Sequence, residues 1–321
     1  YGKEILSTLK ENAKELKNKI NIKDCGIVGG GIGVIHITDL HANELIDMPH
    51  NKYDFEILAK RLKKQISESL AYFKYRQVER VLIALTGDLL NSDRRLDEML
   101  NAPTNRAHAT VLTSHIINQA ITHVREHYKV DIVSVLGNES RAKQEMSFSN
   151  SVFSDNYDFS IMAMCKQTLE YAGIEGITFH SIDQVETVVN LGDQNWLLAH
   201  DVSKFTDKQD KTQSTIGRYY LRNQPVDFIL SGHIHANRAT DLSCRSGSLA
   251  GSNEYNEHAL NLIGRASAMA YVAVGKERFY QYIDCQEANN EGYEIISQLK
   301  AYNIKSRLKT VQQQTIFSVV I

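Results

Sequence analysis

Five short apolar runs in this chain each end in a cluster of polar side chains, and this feature constrains the fold more than any other. Residues 34–38 lead into Asp39-Leu40-His41, and residues 81–85 into Gly87-Asp88-Leu89-Leu90-Asn91. Residues 131–136 lead into Gly137-Asn138-Glu139-Ser140, residues 196–199 into His200-Asp201, and residues 228–230 into Gly232-His233-Ile234-His235. Runs this short and this apolar suit parallel strands buried on both faces. Ligands of open α/β sheets sit just beyond the carboxyl ends of such strands. Five polar strand ends therefore share a natural target.

Helical periods separate these strands. Residues 3–20, 53–75, 105–128 and 155–172 carry apolar residues at helical spacing, and 291–310 suggest one or two more helices. The second half is richer in strands, with 177–180, 186–190, 238–245, 269–274, 278–283 and 315–321 added to those above. Strands alternating with helices, followed by a strand-rich half, predict an α/β sandwich with buried sheets. Gly29, Gly31 and Gly33 resemble part of a dinucleotide-binding loop. That loop follows a strand and opens a helix, whereas these glycines precede a strand and read as a turn.

Composition removes several classes. Apolar residues make up 42% of the 321 and charged residues 23%, too apolar for a disordered chain. With 36 basic and 38 acidic residues the net charge is −2, which excludes a strongly basic nucleic-acid coat but not a local basic patch. The longest uncharged apolar stretch, 26–37, is too short to span a membrane, so no membrane partner is expected. Cys25, Cys165, Cys244 and Cys285 form no Cys-x-x-Cys pair, so neither a disulfide framework nor a zinc knuckle is indicated. A reducing, cytoplasmic setting is the expectation. The chain opens Tyr1-Gly2-Lys3-Glu4, with no signal peptide and no initiator Met, and reads as part of a longer protein.

The polar groups suit one kind of ligand. Asp, His and Asn offer hard oxygens and borderline nitrogens with no thiolate, the donor set of a divalent transition metal. In Asp39-Leu40-His41 and His233-Ile234-His235, alternate residues leaving a strand can face the same ion. Glycine before Asp88, Asn138 and His233 permits a sharp turn. Two ions about 3.5–4 Å apart, the spacing used in phosphate-ester hydrolysis, require one carboxylate to bridge. Any one of these motifs arises by chance; five in order, each after an apolar strand, do not.

In this order the motifs resemble the calcineurin-like metallophosphoesterase superfamily, whose pattern runs Asp-x-His, Gly-Asp-x-x-Asn or Gly-Asp-x-x-Asp, Gly-Asn-His, His, Gly-His-x-His. The resemblance covers residues 33–285. It implies a four-layer α/β/β/α sandwich of two mixed sheets flanked by helices, with the metallophosphoesterase domain over 26–285. Residues 1–25 would then be an N-terminal helix and linker ending an upstream region, and 286–321 a helical extension ending in a strand. The resemblance assigns Asp39, His41, Asp88 and His235 to a first ion and Asn138, His200 and His233 to a second, with Asp88 bridging. Manganese is the expected metal, with iron and zinc as alternatives, and the implied reaction is attack by a metal-activated hydroxide on phosphorus. Arg94 and Arg141, just after the second and third motifs, are candidates to offset charge on the phosphoryl oxygens. The third motif departs from the pattern. Glu139 stands where the family has a His that protonates the leaving group or steadies the transition state. A protonated Glu139 would serve as general acid; the favoured expectation is that the metals act alone and Glu139 is structural.

Ser92, rather than Arg, follows Asn91, which argues against the protein phosphatases, and the core motifs are similar to those of DNA-repair exonucleases. Residues 203–222 bring Lys204, Lys208, Lys211, Arg218, Arg222 and the paired Tyr219 and Tyr220 next to the predicted site, where they would grip a phosphate backbone and stack bases. Asn91 and Asn253 are further substrate-side candidates, with Ser248, Tyr255, Asn256 and His258 at the entrance. These features predict a DNA exonuclease or nuclease. A phosphodiesterase or phosphatase of small nucleotides is the alternative. A non-catalytic binding protein of the same fold is disfavoured, because all seven ligand positions are filled. The expected partners are a nucleic-acid or nucleotide substrate and a second copy in a homodimer. His36, inside the first strand, reads as a core histidine, and His123 and His127, without a metalloprotease motif, as packing residues.

Overall fold

The structure, a computed structural model, describes residues 30–143, 154–200, 209–258 and 263–302. In chain order its elements are β1 (Ile32–Ile37), β2 (Ile46–Asp47), β3 (Lys52–Tyr53), α1 (Phe55–Tyr75), β4 (Arg80–Leu85), α2 (Leu96–Leu100), α3 (Arg106–Arg125), β5 (Lys129–Ser134), α4 (Tyr157–Tyr171) and β6 (Ile177–Phe179). There follow β7 (Glu186–Asn190), β8 (Asn195–Ala199), α5 (Gln209–Tyr220), β9 (Phe228–Ser231), β10 (Arg238–Ala239), β11 (Ser243–Arg245), α6 (Glu254–His258), β12 (Ser267–Val274), β13 (Glu277–Asp284) and α7 (Ile296–Tyr302). One sheet has the order β13-β12-β1-β4-β5-β6 and the other β10-β11-β9-β8-β7. β1, β4, β5 and β6 are parallel, and β12 and β13 extend that sheet antiparallel. In the other sheet β8, β9 and β11 are parallel and the two edge strands antiparallel.

Successive side chains of a strand point to opposite faces, and here both faces are buried. Val81, Ile83 and Leu85 of β4 join Ile35 and Ile37 of β1 beneath Leu62 and Ile66 of α1, Ile116 of α3 and Ile161 of α4. Leu82 and Ala84 turn the other way, with Val34, Val133 and Tyr271, and meet Trp196, Leu198, Phe228 and Leu230 of the second sheet. The alternate residues of that sheet, Leu197, Ala199 and Ile229, pack against Tyr219 of α5. The layers therefore run helices, sheet, sheet, helix, the four-layer sandwich expected from the sequence. Double burial explains why the strands are continuous apolar runs: each fully buried Val, Leu or Ile stabilises by about 1.5–3 kcal/mol. The helices start at side-chain caps that satisfy otherwise orphaned N–H groups. Asp54 accepts from Ile57 N, Asn105 from His108 N and Asn156 from Asp158 N, at 2.8, 3.0 and 2.9 Å.

Most element edges lie within one to three residues of the sequence expectation, but the helix expected from 291 starts only at Ile296, and two further segments differ more. Residues 238–245 form two strands, β10 and β11, folded antiparallel around a turn in which Thr240 N donates to Ser243 O. The segment 203–222, expected to grip a phosphate backbone, is helical over Gln209–Tyr220, because Thr212, Thr215 and Tyr219 recur on one buried face at helical spacing. The expected helix at 3–20 and strand at 315–321 lie outside the described residues. His36 is the core histidine expected. It is fully buried between the sheets, with Nδ1 3.1 Å from Tyr271 Oη and Nε2 2.8 Å from Thr86 Oγ1. Burial pulls its pKa down to about 3 despite the charge of Asp39. His123 packs as expected too, with Nδ1 3.1 Å from Tyr293 Oη. Among the described residues no helix is long and apolar enough to cross a membrane.

Candidate metal centre

The carboxyl ends of β1, β4 and β5 in one sheet and of β8 and β9 in the other deliver the five motifs. Pairing continues past the strand ends: Asp39 N donates to Gly87 O and His41 N to Asp88 O, both at 3.0 Å, so the first two motif loops stay one unit. Asp39, His41, Asp88, His233 and His235 have φ of 48°, 45°, 53°, 75° and 55°. Only eight non-glycine residues among those described enter this left-handed region, and five of them are expected ligands. Such a residue costs of order 1–3 kcal/mol, least for Asp, Asn and His. Strain concentrated on ligand positions is a mark of a site whose geometry the rest of the fold enforces.

The side chains gather into two clusters, Asp39 with His41 and His235, and Asp88 with His200 and His233. Within each, one donor atom per residue lies within 4.8 Å of the others. Asp39 Oδ1 is 3.3 Å from His235 Nε2 and 3.8 Å from His41 Nε2, and the two imidazole nitrogens are 3.0 Å apart. In the second cluster His200 Nε2 lies 2.9 Å from Asp88 Oδ2 and 3.0 Å from Asn138 Oδ1. The two clusters, with Asn138 beside His200, contain all seven expected ligands; Asp88, expected with the first set as the bridge, falls in the second cluster.

The chemistry of these donors fits divalent metal. His200 Nδ1 donates to the Thr86 carbonyl at 2.6 Å, and a carbonyl only accepts, so one proton is fixed on that nitrogen. Asn91 Oδ1 does the same for His41 Nδ1 at 3.1 Å. Both Nε2 atoms then face carboxylate, amide oxygen or a second imidazole, a ring of lone pairs that only protons or a cation can satisfy. Oxygen and imidazole donors without thiolate select a divalent transition ion. Burial opposes charge on His41, yet its bond to Asp39 and the charge of Asp88 outweigh burial and raise its pKa to about 10. His200 reaches about 10 against burial in the same way, through Asp88. Burial works upward on Asp39, but bonds from His235 and His41 hold it well below the usual carboxylate range, and His200 lowers Asp88 against the same opposition. Both carboxylates are therefore ionised ligands in waiting.

Neighbouring groups fix the ligands. Thr38 Oγ1 donates to Asp39 Oδ2 at 2.6 Å, and His233 N donates to the same oxygen at 2.9 Å, tying the first motif to the fifth. A Cβ on Gly232 would lie 2.0 Å from Thr38 Oγ1, and one on Gly137 would lie 2.1 Å from Asp88 Oδ1, so only glycine fits either turn. Ser248, expected at the substrate entrance, is instead fully buried and donates to Asp39 O at 2.7 Å. Its loop is held in turn by the buried Arg61, which donates to Leu249 O and Ala250 O at 2.7 and 3.1 Å.

The remaining candidates are placed as follows. Asn91, expected on the substrate side, is buried and orients His41. Glu139 accepts from Asn138 Nδ2 at 2.5 Å and from Arg94 Nη2 at 2.6 Å, which spends both its oxygens as acceptors. Arg94, expected to face phosphate, uses Nη2 on Glu139 and Nη1 on Asn138 O at 2.9 Å. Arg141 Nε donates to Lys143 O at 3.0 Å. Its pKa is lowered by burial and by Arg94 beside it. Asn253 donates to Glu44 Oε1 at 2.7 Å and caps α6 through Asn256 N at 2.8 Å. Arg218 lies 3.5 Å from Glu186 on the edge strand β7, and Tyr219 donates to the same carboxylate, so these two serve the helix–sheet contact. Lys204 and Lys208 lie outside the described residues.

One buried carboxylate beside the centre has no motif to announce it. Asp158, at the start of α4, is fully buried and accepts from three main-chain N–H groups of the second and third motifs. Burial, then the charge of Asp88, raises its pKa. Only its setting just after the Asn156 cap is visible in the sequence.

No curated protein matches this sequence. Among solved structures, Vacuolar Protein Sorting 29 from Cryptosporidium parvum is 13% identical, with 79% of this chain and 98% of that chain covered at a TM-score of 0.36. The 5'-nucleotidase from Candida albicans is 10% identical, with 88% of this chain and 58% of that chain covered at a TM-score of 0.40. The profile of the calcineurin-like phosphoesterase family matches residues 32–237, well over half of the chain and every motif from Asp39 to His235, and the chain belongs to that family.

Proposed function

We propose that the chain is a dinuclear-metal phosphodiesterase that cleaves nucleic acid, with DNA as its substrate. The observation that carries this reading is the pair of adjoining oxygen and imidazole clusters at the ends of five strands. When bound, two divalent ions would polarise a phosphate ester and bring the pKa of a water towards neutrality. Asp39, His41 and His235 would hold one ion, Asn138, His200 and His233 the other, and Asp88 both. Thr86 O and Asn91 keep the imidazoles in the ligating tautomer. Glu139 turns the Asn138 amide so that its oxygen faces His200 and its nitrogen faces away, and Arg94 holds Glu139 in place.

The surroundings favour a polyanion with exposed bases. The charges of Arg94 and Arg95 both act on Arg141. The Arg95 guanidinium sits 5.2 Å over the ring of Tyr255, and Leu96, Met99, Leu100 and Tyr255 are exposed beside it. Guanidinium groups offset phosphate charge, and aromatic and cationic faces stack bases without sequence preference. The test is a panel with Mn²⁺ of single- and double-stranded DNA, RNA, cyclic nucleotides, a phosphopeptide and a bis-nitrophenyl diester. DNA and the aryl diester should be cleaved, and chelation should abolish both. Cleavage of small nucleotides without DNA would move the reading to the small-nucleotide alternative. No turnover of any substrate by a metal-loaded protein would reject catalysis.

A further inference from the structure

We propose that Asp158 is a positioning residue for the metal centre, a buried carboxylate that locks the Gly87-Asp88 turn to the Gly137-Asn138 turn so that their ligands keep one common geometry. The proposal rests on the metal-binding reading above. Asp158 stands 70 residues from Asp88 in sequence, yet its Oδ2 accepts from Asp88 N at 3.1 Å and from Gly137 N at 2.8 Å, while Oδ1 accepts from Leu89 N at 2.9 Å. These N–H groups leave β4 and β5 where the strand ladders have ended. Asp88 among them is in the left-handed region, a conformation that needs outside support.

The start of α4 is wired to the same two loops. The Asn156 side chain accepts from Asp158 N and donates to Gly137 O, both at 2.9 Å. Tyr157 N donates to Ser140 O at 2.9 Å, and Ser140 Oγ both donates to Leu90 O and accepts from Leu90 N at 3.0 Å. A buried carboxylate is costly unless its oxygens are fully satisfied. Here three amide dipoles from two different loops satisfy it, which a backbone carbonyl with one oxygen would not reach. Asp158 offers no ligand atom, since its oxygens are spent behind Asp88. It acts through Asp88 and Asn138, one of which is the expected bridge.

The test is Mn²⁺ affinity of the metal-free protein by calorimetry, with the visible spectrum of the Co²⁺-loaded form. Asp158→Asn keeps the volume but turns an amide NH₂ towards main-chain donors. Its affinity should fall ~10–100-fold, the usual cost of losing a partner behind the ligands, and its Co²⁺ spectrum should change while the circular dichroism stays that of a folded chain. Leu169→Ala, on the same helix and buried away from the motifs, should lower the melting temperature and leave both metal readouts unchanged. If Asp158→Asn fails to fold, Asn156→Ala keeps the carboxylate but frees its backbone, and its affinity should fall by up to about tenfold. Parental affinity in whichever variant folds, or an equal loss in Leu169→Ala, overturns the proposal. Absence of Mn²⁺ binding by the parent chain rejects the metal-binding reading itself, and the proposal with it.

Discussion

Replacing Glu139 by Gln isolates the one position at which the third motif departs from its family. Glu139 divides its two oxygens between Arg94 at 2.6 Å and Asn138 Nδ2 at 2.5 Å. The side chains of Arg94 and Glu139 are only 10% and 20% exposed. Gln has one oxygen for two donors, so one contact becomes donor against donor. Keeping the oxygen on Asn138 leaves the ligand amide oriented and loses the Arg94 bond. A hydrogen bond to a charged group contributes ~1.5–3 kcal/mol, and the Gln still fills the space, so a stability loss of ~1–2 kcal/mol is expected. Turnover should fall about tenfold, the lower end for a partner behind the ligands. It should fall equally on a nitrophenyl diester and on DNA, because nothing that protonates a leaving group has been removed. A general acid would instead cost ~10²–10⁴-fold, and chiefly where the leaving group is a poor one. The assay is kcat/KM on both substrates at saturating Mn²⁺, alongside a thermal melt. A loss above ~100-fold confined to DNA would refute the orienting role and make Glu139 the acid.

Other perturbations test other parts of the centre. Gly232→Ala puts a Cβ 2.0 Å from Thr38 Oγ1 and 2.4 Å from Asp39 Oδ2. Overpacking of this kind costs ~1–3 kcal/mol, and Mn²⁺ titration should show the Asp39 cluster weakened in a chain that still folds; undiminished binding would contradict the close packing. In the metal-free protein His41 and His200 both have pKa values raised to about 10, so at pH 8 metal binding should release about two protons per chain. Calorimetry in buffers of different ionisation enthalpy measures this, and a heat independent of buffer would contradict it. His36 is held near pKa 3, well under its ordinary 6.5. The unfolded chain therefore takes up a proton that the folded chain refuses, and stability should rise with pH between about 3 and 6.5, by up to ~5 kcal/mol for a shift this size. Urea melts of the metal-free protein should show that slope, and His36→Gln should flatten it; an unchanged slope would mean that His36 does not titrate on unfolding.

Double burial is what made this fold readable. Strands sandwiched between two layers, such as β4 and β8, are apolar at every buried position, so they stand out as runs. Their polar sequels, from Asp39 to His235, then stand out as strand ends. The candidate ligands were legible because DxH and HxH spacing is local. The residues that support them were not. Asn91 lies inside a motif, and only the fold shows that it turns to His41 rather than to substrate. Asp158 reaches the second and third motifs through tertiary packing alone, across 70 residues from Asp88. Residues 209–220 are mostly polar and looked like a grip for substrate. Their helical face became apparent only when Tyr219 met the outer side of the second sheet and Glu186 engaged Arg218. The hairpin at 238–245 has no glycine, proline or asparagine to mark its turn, which Thr240 closes onto Ser243.

On the reading proposed above, Asp88 joins two metal sites. Anomalous scattering from crystals equilibrated with Mn²⁺ tests it directly. The account predicts two peaks per chain about 3.5–4 Å apart, one among Asp39, His41 and His235, the other among Asn138, His200 and His233, with Asp88 between them. A single peak, or two peaks that do not share Asp88, would contradict it.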